Sequence, residues 1–183
     1  EEHGILHNYL SDPNRKDTPN VLLDRYKKQV STALKFRSIW DVYKALDQSI
    51  FLTQERTERE NRFLKKIFNI EEFPRLMDVA CWYGRIANNL AKDWYDVYGF
   101  DADGWEICKA RRIAQASQLK NARFEVGTYS SFQTFKRQLD WAYMTYGVFN
   151  TISDEEITWL LNRIGNSLRR KGRLVIDLLN KNY

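Results

Sequence analysis

The residues best suited to chemistry fall in one eight-residue run, Asp78-Val79-Ala80-Cys81-Trp82-Tyr83-Gly84-Arg85, and at a carboxylate downstream, Asp101. The run closes a short apolar segment and passes directly into a helical pattern. Asp101 lies 21 residues after Ala80 and closes the next apolar segment, Val97–Phe100. Where strands alternate with helices, ligands sit beyond the carboxyl ends of the strands, at the point where strand order reverses. A carboxylate at this spacing can accept hydrogen bonds from both hydroxyls of a ribose. Other polar groups at strand ends are Asn150, Asp177 and Asn180, which could face an acceptor but are more often turn or strand-end residues. His3 and His7 lie in a polar lead-in, where a lone histidine is usually a surface residue. No general base stands out, so the catalytic residues are left unassigned.

The elements that must hold these residues can be read from hydrophobic spacing. After Pro74, short apolar runs at Leu76–Ala80, Val97–Phe100, Arg123–Val126, Trp141–Tyr146 and Arg173–Leu178 alternate with helical patterns. The helices are predicted near Arg85–Lys92, Trp105–Ser117 and Asp154–Leu168, with a shorter one near Ser131–Gln138. Ser153-Asp154-Glu155-Glu156 forms a capping box before the helix that begins at Asp154. This alternation predicts an α/β fold with a doubly wound, mostly parallel Rossmann-like sheet of about five strands. Residues 71–183 form that core. Residues 1–70 form an N-terminal helical extension: an irregular lead-in over 1–20, then helical spacing from Val21 to Phe68. Within it, Thr57-Glu58-Arg59-Glu60 reads as a second capping box that starts a helix at Thr57.

Bulk properties narrow the function classes. The chain has 183 residues, 43% hydrophobic and 29% charged, with mean hydropathy −0.60, which describes a folded globular chain. No apolar run reaches the ~18 residues that span a bilayer, and no basic-then-apolar leader is present. The sequence lacks a starting Met, which raises the expectation of a fragment. Cys81 and Cys108 are too few for a disulfide framework and have no metal-ligand spacing around them. Both are expected to be small buried thiols in a reducing, cytoplasmic setting, and no metal site is expected. The net charge of +5 is modest. Its clusters, Lys109-Arg111-Arg112 and Arg169-Arg170-Lys171-Arg173, read first as solvated helix faces and helix ends.

Taken together, these segments resemble class I (Rossmann-like) S-adenosylmethionine-dependent methyltransferases, whose first motif runs roughly Asp-hydrophobic-Gly-Cys-Gly-x-Gly-Arg. Val97-Tyr98-Gly99-Phe100-Asp101 is similar to the family's second-strand motif. Phe124-Glu125-Val126-Gly127-Thr128 sits where the adenine-contacting loop is expected. Leu139-Asp140-Trp141-Ala142-Tyr143-Met144 resembles the fourth strand, and Leu168 to Leu178 resembles the approach to the fifth. Arg56, Thr57 and Glu60 resemble the helix that lids the cofactor. The resemblance covers about residues 55–183 and implies S-adenosylmethionine as cofactor. It implies that Asp101 holds the ribose, that Asp78 braces the loop, and that Ala80, Cys81, Trp82 and Gly84 line the methionine side. Thr128 and Tyr129 would flank the adenine, and Thr145, with Tyr146, would stand near the transferred methyl group. A dinucleotide oxidoreductase would want glycine at 80, 82 and 85, and has none of them here. The methyltransferase pattern wants glycine at 80, 82 and 84, and Gly84 is present.

Three departures carry consequences. Ala80 replaces a glycine and is tolerated where φ stays negative. Trp82 replaces another, and its indole must either fill the cofactor cleft or rotate away into the lid helices. Thr128 stands where an aspartate usually accepts from adenine, and a hydroxyl accepts more weakly. The family also has a final strand hairpin after strand five, which this sequence does not reach, so the fifth strand becomes a sheet edge that a partner subunit or self-association could cover. Three functions follow. The first is methyl transfer to a small molecule or another acceptor. The second is a non-catalytic methyltransferase-like subunit with an occluded cleft that binds a partner protein. The third is a nucleic-acid methyltransferase or binder, ranked last because the aromatics fall at core-like spacings.

Overall fold

The computed structural model describes residues 52–72 and 74–178. The helical spacing read over residues 21–50, the lead-in with His3 and His7, and Asn180 lie outside the described residues. Chain contacts gather into two compact units, Thr57–Asn180 and Glu1–Arg56 with Lys181–Tyr183, and the first carries the sheet.

Five strands build that sheet: β1 (Arg75–Val79), β2 (Asp96–Asp101), β3 (Ala122–Val126), β4 (Leu139–Met144) and β5 (Leu168–Ile176). All pairings are parallel and the order is β3-β2-β1-β4-β5. The chain therefore winds outward from β1 to β3, then returns to the other side of β1 with β4. The reversal falls between β1 and β4. Among the described residues the helices are α1 (Gln54–Ile67), α2 (Arg85–Lys92), α3 (Gly104–Ala116) and α4 (Asp154–Ser167), with a 3₁₀ turn at Val148–Thr151. This is the doubly wound α/β fold that the alternation predicts. Among the described residues, no helix is long and apolar enough to cross a membrane.

Strand alternation sorts the core into two layers. Leu76 and Val97, with Trp141 and Tyr143, face α2, α3 and the Leu64–Phe68 end of α1. Met77, Val79, Tyr98, Phe100, Ala142 and Met144 face Leu160 and Ile164 of α4 and the buried Phe132. Each fully buried side chain of this size contributes roughly 1.5–3 kcal/mol. β4 is buried along its whole length, as a central parallel strand must be.

Several local expectations are corrected. α1 begins at Gln54, not at Thr57, because Thr53 is its cap: Thr53 Oγ1 accepts from Arg56 N–H at 3.1 Å. Thr57 is thus inside the helix and buried. No helix forms at Ser131–Gln138. There the Gln133 amide donates to the Tyr98 hydroxyl and to Glu125, and Lys136 and Arg137 turn left-handed at φ 44° and 64°. β4 stops at Met144 because Tyr146 and Gly147 turn left-handed next, at φ 71° and 64°. β5 starts at Leu168, five residues before the expected Arg173. Its register against β4 is interrupted after Leu168, and Lys171 sits at φ 68°. The Arg169–Arg173 basic cluster therefore lies on a strand rather than a helix. The capping box at Ser153 and Glu156 forms as expected, with both reciprocal bonds present.

Candidate functional site

At the switch point, β1 delivers its last residues into a loop, Ala80–Gly84, that leads straight into α2. Three of its five residues have left-handed backbone: Ala80 at φ 55°, Trp82 at φ 52° and Gly84 at φ 70°. Ala80 does not keep the negative φ that would make it a mild replacement. An L residue in this region costs about 1–2 kcal/mol, so the chain retains a glycine-type loop path at two positions without glycine. The loop is pinned to β2 and closed on itself. Cys81 N–H donates to Phe100 O at 2.9 Å, and Gly84 N–H donates to Cys81 O at 2.9 Å. Gly84 cannot carry a side chain: a Cβ there would stand 2.8 Å from both the Phe124 ring and Asn88 Nδ2.

Asp101 closes β2 beside this loop. Its Oδ2 accepts from Trp82 N–H and its Oδ1 from Asp103 N–H, each at 2.9 Å. Each carboxylate oxygen has room for a second donor, so Asp101 can brace the loop and still receive ribose hydroxyls. Burial pushes its pKa above the usual carboxylate range, while the two amide donors pull it back. Gly127 N–H donates to Asp101 O at 2.9 Å, which sets the end of β3 alongside. Thr128 is exposed there, and its hydroxyl is shared with Ser130 and Ser131 at 3.1 and 2.8 Å. Tyr129, on the other hand, is half-buried against the α4-side core, and burial pushes its pKa up to about 12.

Trp82 neither enters the core nor is fully exposed. Its ring lies 4.6 Å from that of Tyr83, tilted by 59°, and Lys109 Nζ of α3 stands 4.7 Å from the Tyr83 centroid. The indole thus leans on Tyr83, whose ring in turn faces Lys109 of α3. Cys81 points inward and is buried, with burial raising its pKa, whereas Cys108 is exposed, contrary to the expectation of two buried thiols. In the Lys109-Arg111-Arg112 cluster, Arg111 donates through Nε and Nη2 to Phe124 O at 3.0 and 2.7 Å, so it fastens α3 to β3 rather than facing only solvent.

Beneath the loop lies a polar layer that sequence spacing does not reveal. Asp78 is register partner to Tyr143 across β1 and β4, and both are buried. Burial raises the Asp78 pKa to about 7, opposed by the Tyr143 hydroxyl and by the charge of Arg85. Arg85 reaches α1, where Nη1 donates to Thr57 Oγ1 at 2.9 Å and Nη2 lies 2.6 Å from Glu60 Oε2. The parallel register of β1 and β4 is the one signal that could have paired Asp78 with Tyr143. On the far side of the switch point, Thr145 is half-buried, and the following turn is held by Asp177, whose Oδ2 accepts from Tyr146 N–H at 3.0 Å. Asp177 is thereby a turn brace. Asp78, Ala80, Cys81, Trp82, Gly84 and Asp101 are brought together at the carboxyl ends of β1 and β2. Gly127 backbone bonding sets Thr128 near Asp101, and Thr145 follows the end of β4. Among the described residues, no group of three or more His, Cys, Asp or Glu side chains could hold a metal ion.

A family model described as a methyltransferase domain matches residues 76–172, just over half of the chain. The chain belongs to this methyltransferase family. It is a class I, Rossmann-like member, as its strand order shows. Among solved structures, a TehB-like SAM-dependent methyltransferase from Corynebacterium glutamicum is 26% identical with TM-score 0.54, over 64% of this chain and 60% of that one. The PH0226 protein from Pyrococcus horikoshii shares the fold at TM-score 0.65 and 18% identity, over 78% and 63%. The glycopeptide N-methyltransferase MtfA, solved with S-adenosyl-L-methionine, aligns at TM-score 0.56 and 15% identity, over 64% and 48%. The chain therefore spans roughly half to three-fifths of the length of these structures. No match was found among curated protein sequences.

Proposed function

We propose that this chain is the cofactor-binding core of an S-adenosylmethionine-dependent methyltransferase acting on a small-molecule acceptor. The observation that carries the reading is the glycine-type loop path over Ala80–Gly84, kept against backbone strain and latched onto Asp101. A loop that had lost its ligand would be expected to relax residues such as Trp82 out of the left-handed region.

The residues present fit the cofactor. Asp101 has acceptor capacity for both ribose hydroxyls. Val126, half-exposed beside Gly104, together with Thr128, offers an apolar surface and a hydroxyl to adenine. Ala80, Cys81 and Gly84 would present backbone to the methionine side, with Trp82 as a flanking wall leaning on Tyr83. When bound, S-adenosylmethionine supplies an activated methyl group for in-line displacement. The chain's part is to hold, orient and exclude water. Thr145 and Tyr146, beyond β4, would border the acceptor. The free thiols Cys81 and Cys108 suit a reducing, cytoplasmic setting.

The test is a calorimetric titration of S-adenosylhomocysteine into the wild type and Asp101→Asn. Hydrogen bonds to a charged group are worth about 1.5–3 kcal/mol, so Asp101→Asn should weaken binding by about tenfold or more. Equal affinity in the two proteins would remove Asp101 from the site and the reading with it.

A further inference from the structure

Arg85 ends the loop and opens α2, yet its guanidinium is held by a different helix. Thr57 Oγ1 and Glu60 Oε2, three residues apart on one face of α1, take its two terminal nitrogens at 2.9 and 2.6 Å. The pair is largely out of water, with the Arg85 side chain 9% exposed and that of Glu60 25% exposed. Separating such a pair strands a charge in a dry place. The planar fork of arginine also fixes the angle between its two acceptors, which a lysine would not do. α1 is anchored at its other end as well, where Phe68 packs on Trp141 and Tyr143 at ring distances of 5.1 and 5.7 Å. Arg85 directly follows Gly84, the last left-handed residue of the strained loop. Such strain persists only when the surroundings over-determine it. Asp101 holds the loop from the β2 side, and Arg85 holds it from the α1 side.

We propose that the Thr57–Arg85–Glu60 clasp joins α1 and the Ala80–Gly84 loop into one rigid unit, with Arg85 as a positioning residue for the methionine side of the cofactor. The proposal rests on the cofactor reading above. In it α1 is not a lid swinging freely over the site, and its placement sets the loop path.

Glu60→Gln tests this, because it weakens the clasp from α1 without altering the loop. In the ligand-free protein, hydrogen exchange at amides 80–88 should speed up by about fivefold or more, while β2 and β3 amides keep their protection. S-adenosylhomocysteine affinity, measured by calorimetry, should fall by about fivefold or more. Arg85→Lys, which keeps the charge but not the fork, should fall between wild type and Arg85→Gln in both measurements. Unchanged exchange at 80–88 in Glu60→Gln would overturn the clasp, as would an affinity within about twofold of wild type. If the wild type takes up no S-adenosylhomocysteine, the cofactor reading fails, and the exchange measurement still decides the clasp.

Discussion

Trp82 and Ala80 hold backbone angles that suit glycine, and this sets their mutational behaviour. At φ 52° a glycine bears no Cβ penalty, while an alanine bears most of what tryptophan bears. Trp82→Gly should therefore be more stable than Trp82→Ala by about 1 kcal/mol, read from urea unfolding midpoints. The reverse order would mean that the loop does not keep its left-handed path. Asp78 makes a separate prediction. Its pKa rises from 3.8 in the unfolded chain to about 7 in the fold, so its neutral form is favoured by folding. The stability it contributes is fully present below pH 3.8 and is lost as pH rises through about 7. Asp78→Asn should remove that slope and flatten the melting temperature between about pH 4 and 7 relative to wild type. An unchanged slope would place the carboxyl in contact with water.

Among the elements, the packing of β2, β3 and α2 turns on one ring. A Cβ on Gly99 would meet Cys81 Sγ at 2.8 Å and Phe124 Cδ1 at 2.9 Å, and one on Gly84 would meet the same ring. Phe124 is thus seated in space left by two glycines. Gly99→Ala should destabilise by about 1–3 kcal/mol. Phe124→Leu should recover part of that loss in the double mutant, as contacting residues couple; strictly additive denaturation energies would contradict this seat. Sequence spacing located every strand and all four described helices, α1 with a start three residues late, because buried parallel strands are continuous apolar runs and amphipathic helices carry their own period. It placed a helix at Ser131–Gln138 and a cap at Thr57 because local pattern cannot see tertiary partners. Tyr98 and Glu125 take the Gln133 amide, and Arg85 takes the Thr57 hydroxyl.

Across the whole molecule, the strand order and the ends of β1 and β2 were legible together, since a chain that alternates strand and helix has few ways to wind. Asp101 and Gly84 are where a reading of carboxylate spacing and loop chemistry puts them. The polar layer under the loop was not legible. It depends on the Asp78–Tyr143 register and on a 28-residue reach from Thr57 to Arg85, and neither leaves a periodic trace. Nor could sequence decide between a cleft closed by Trp82 and one walled by it. The structure directs the indole onto Tyr83 rather than into the core.

Whether the indole walls the cleft or closes it is decided by one titration: calorimetry of S-adenosylhomocysteine against wild type and Trp82→Gly, side by side. The wild type should bind at a single site in the micromolar range, with Trp82→Gly within about tenfold of it, or about 1.4 kcal/mol. No binding to the wild type together with binding to Trp82→Gly would contradict it, and would make the indole a plug in the cofactor cleft.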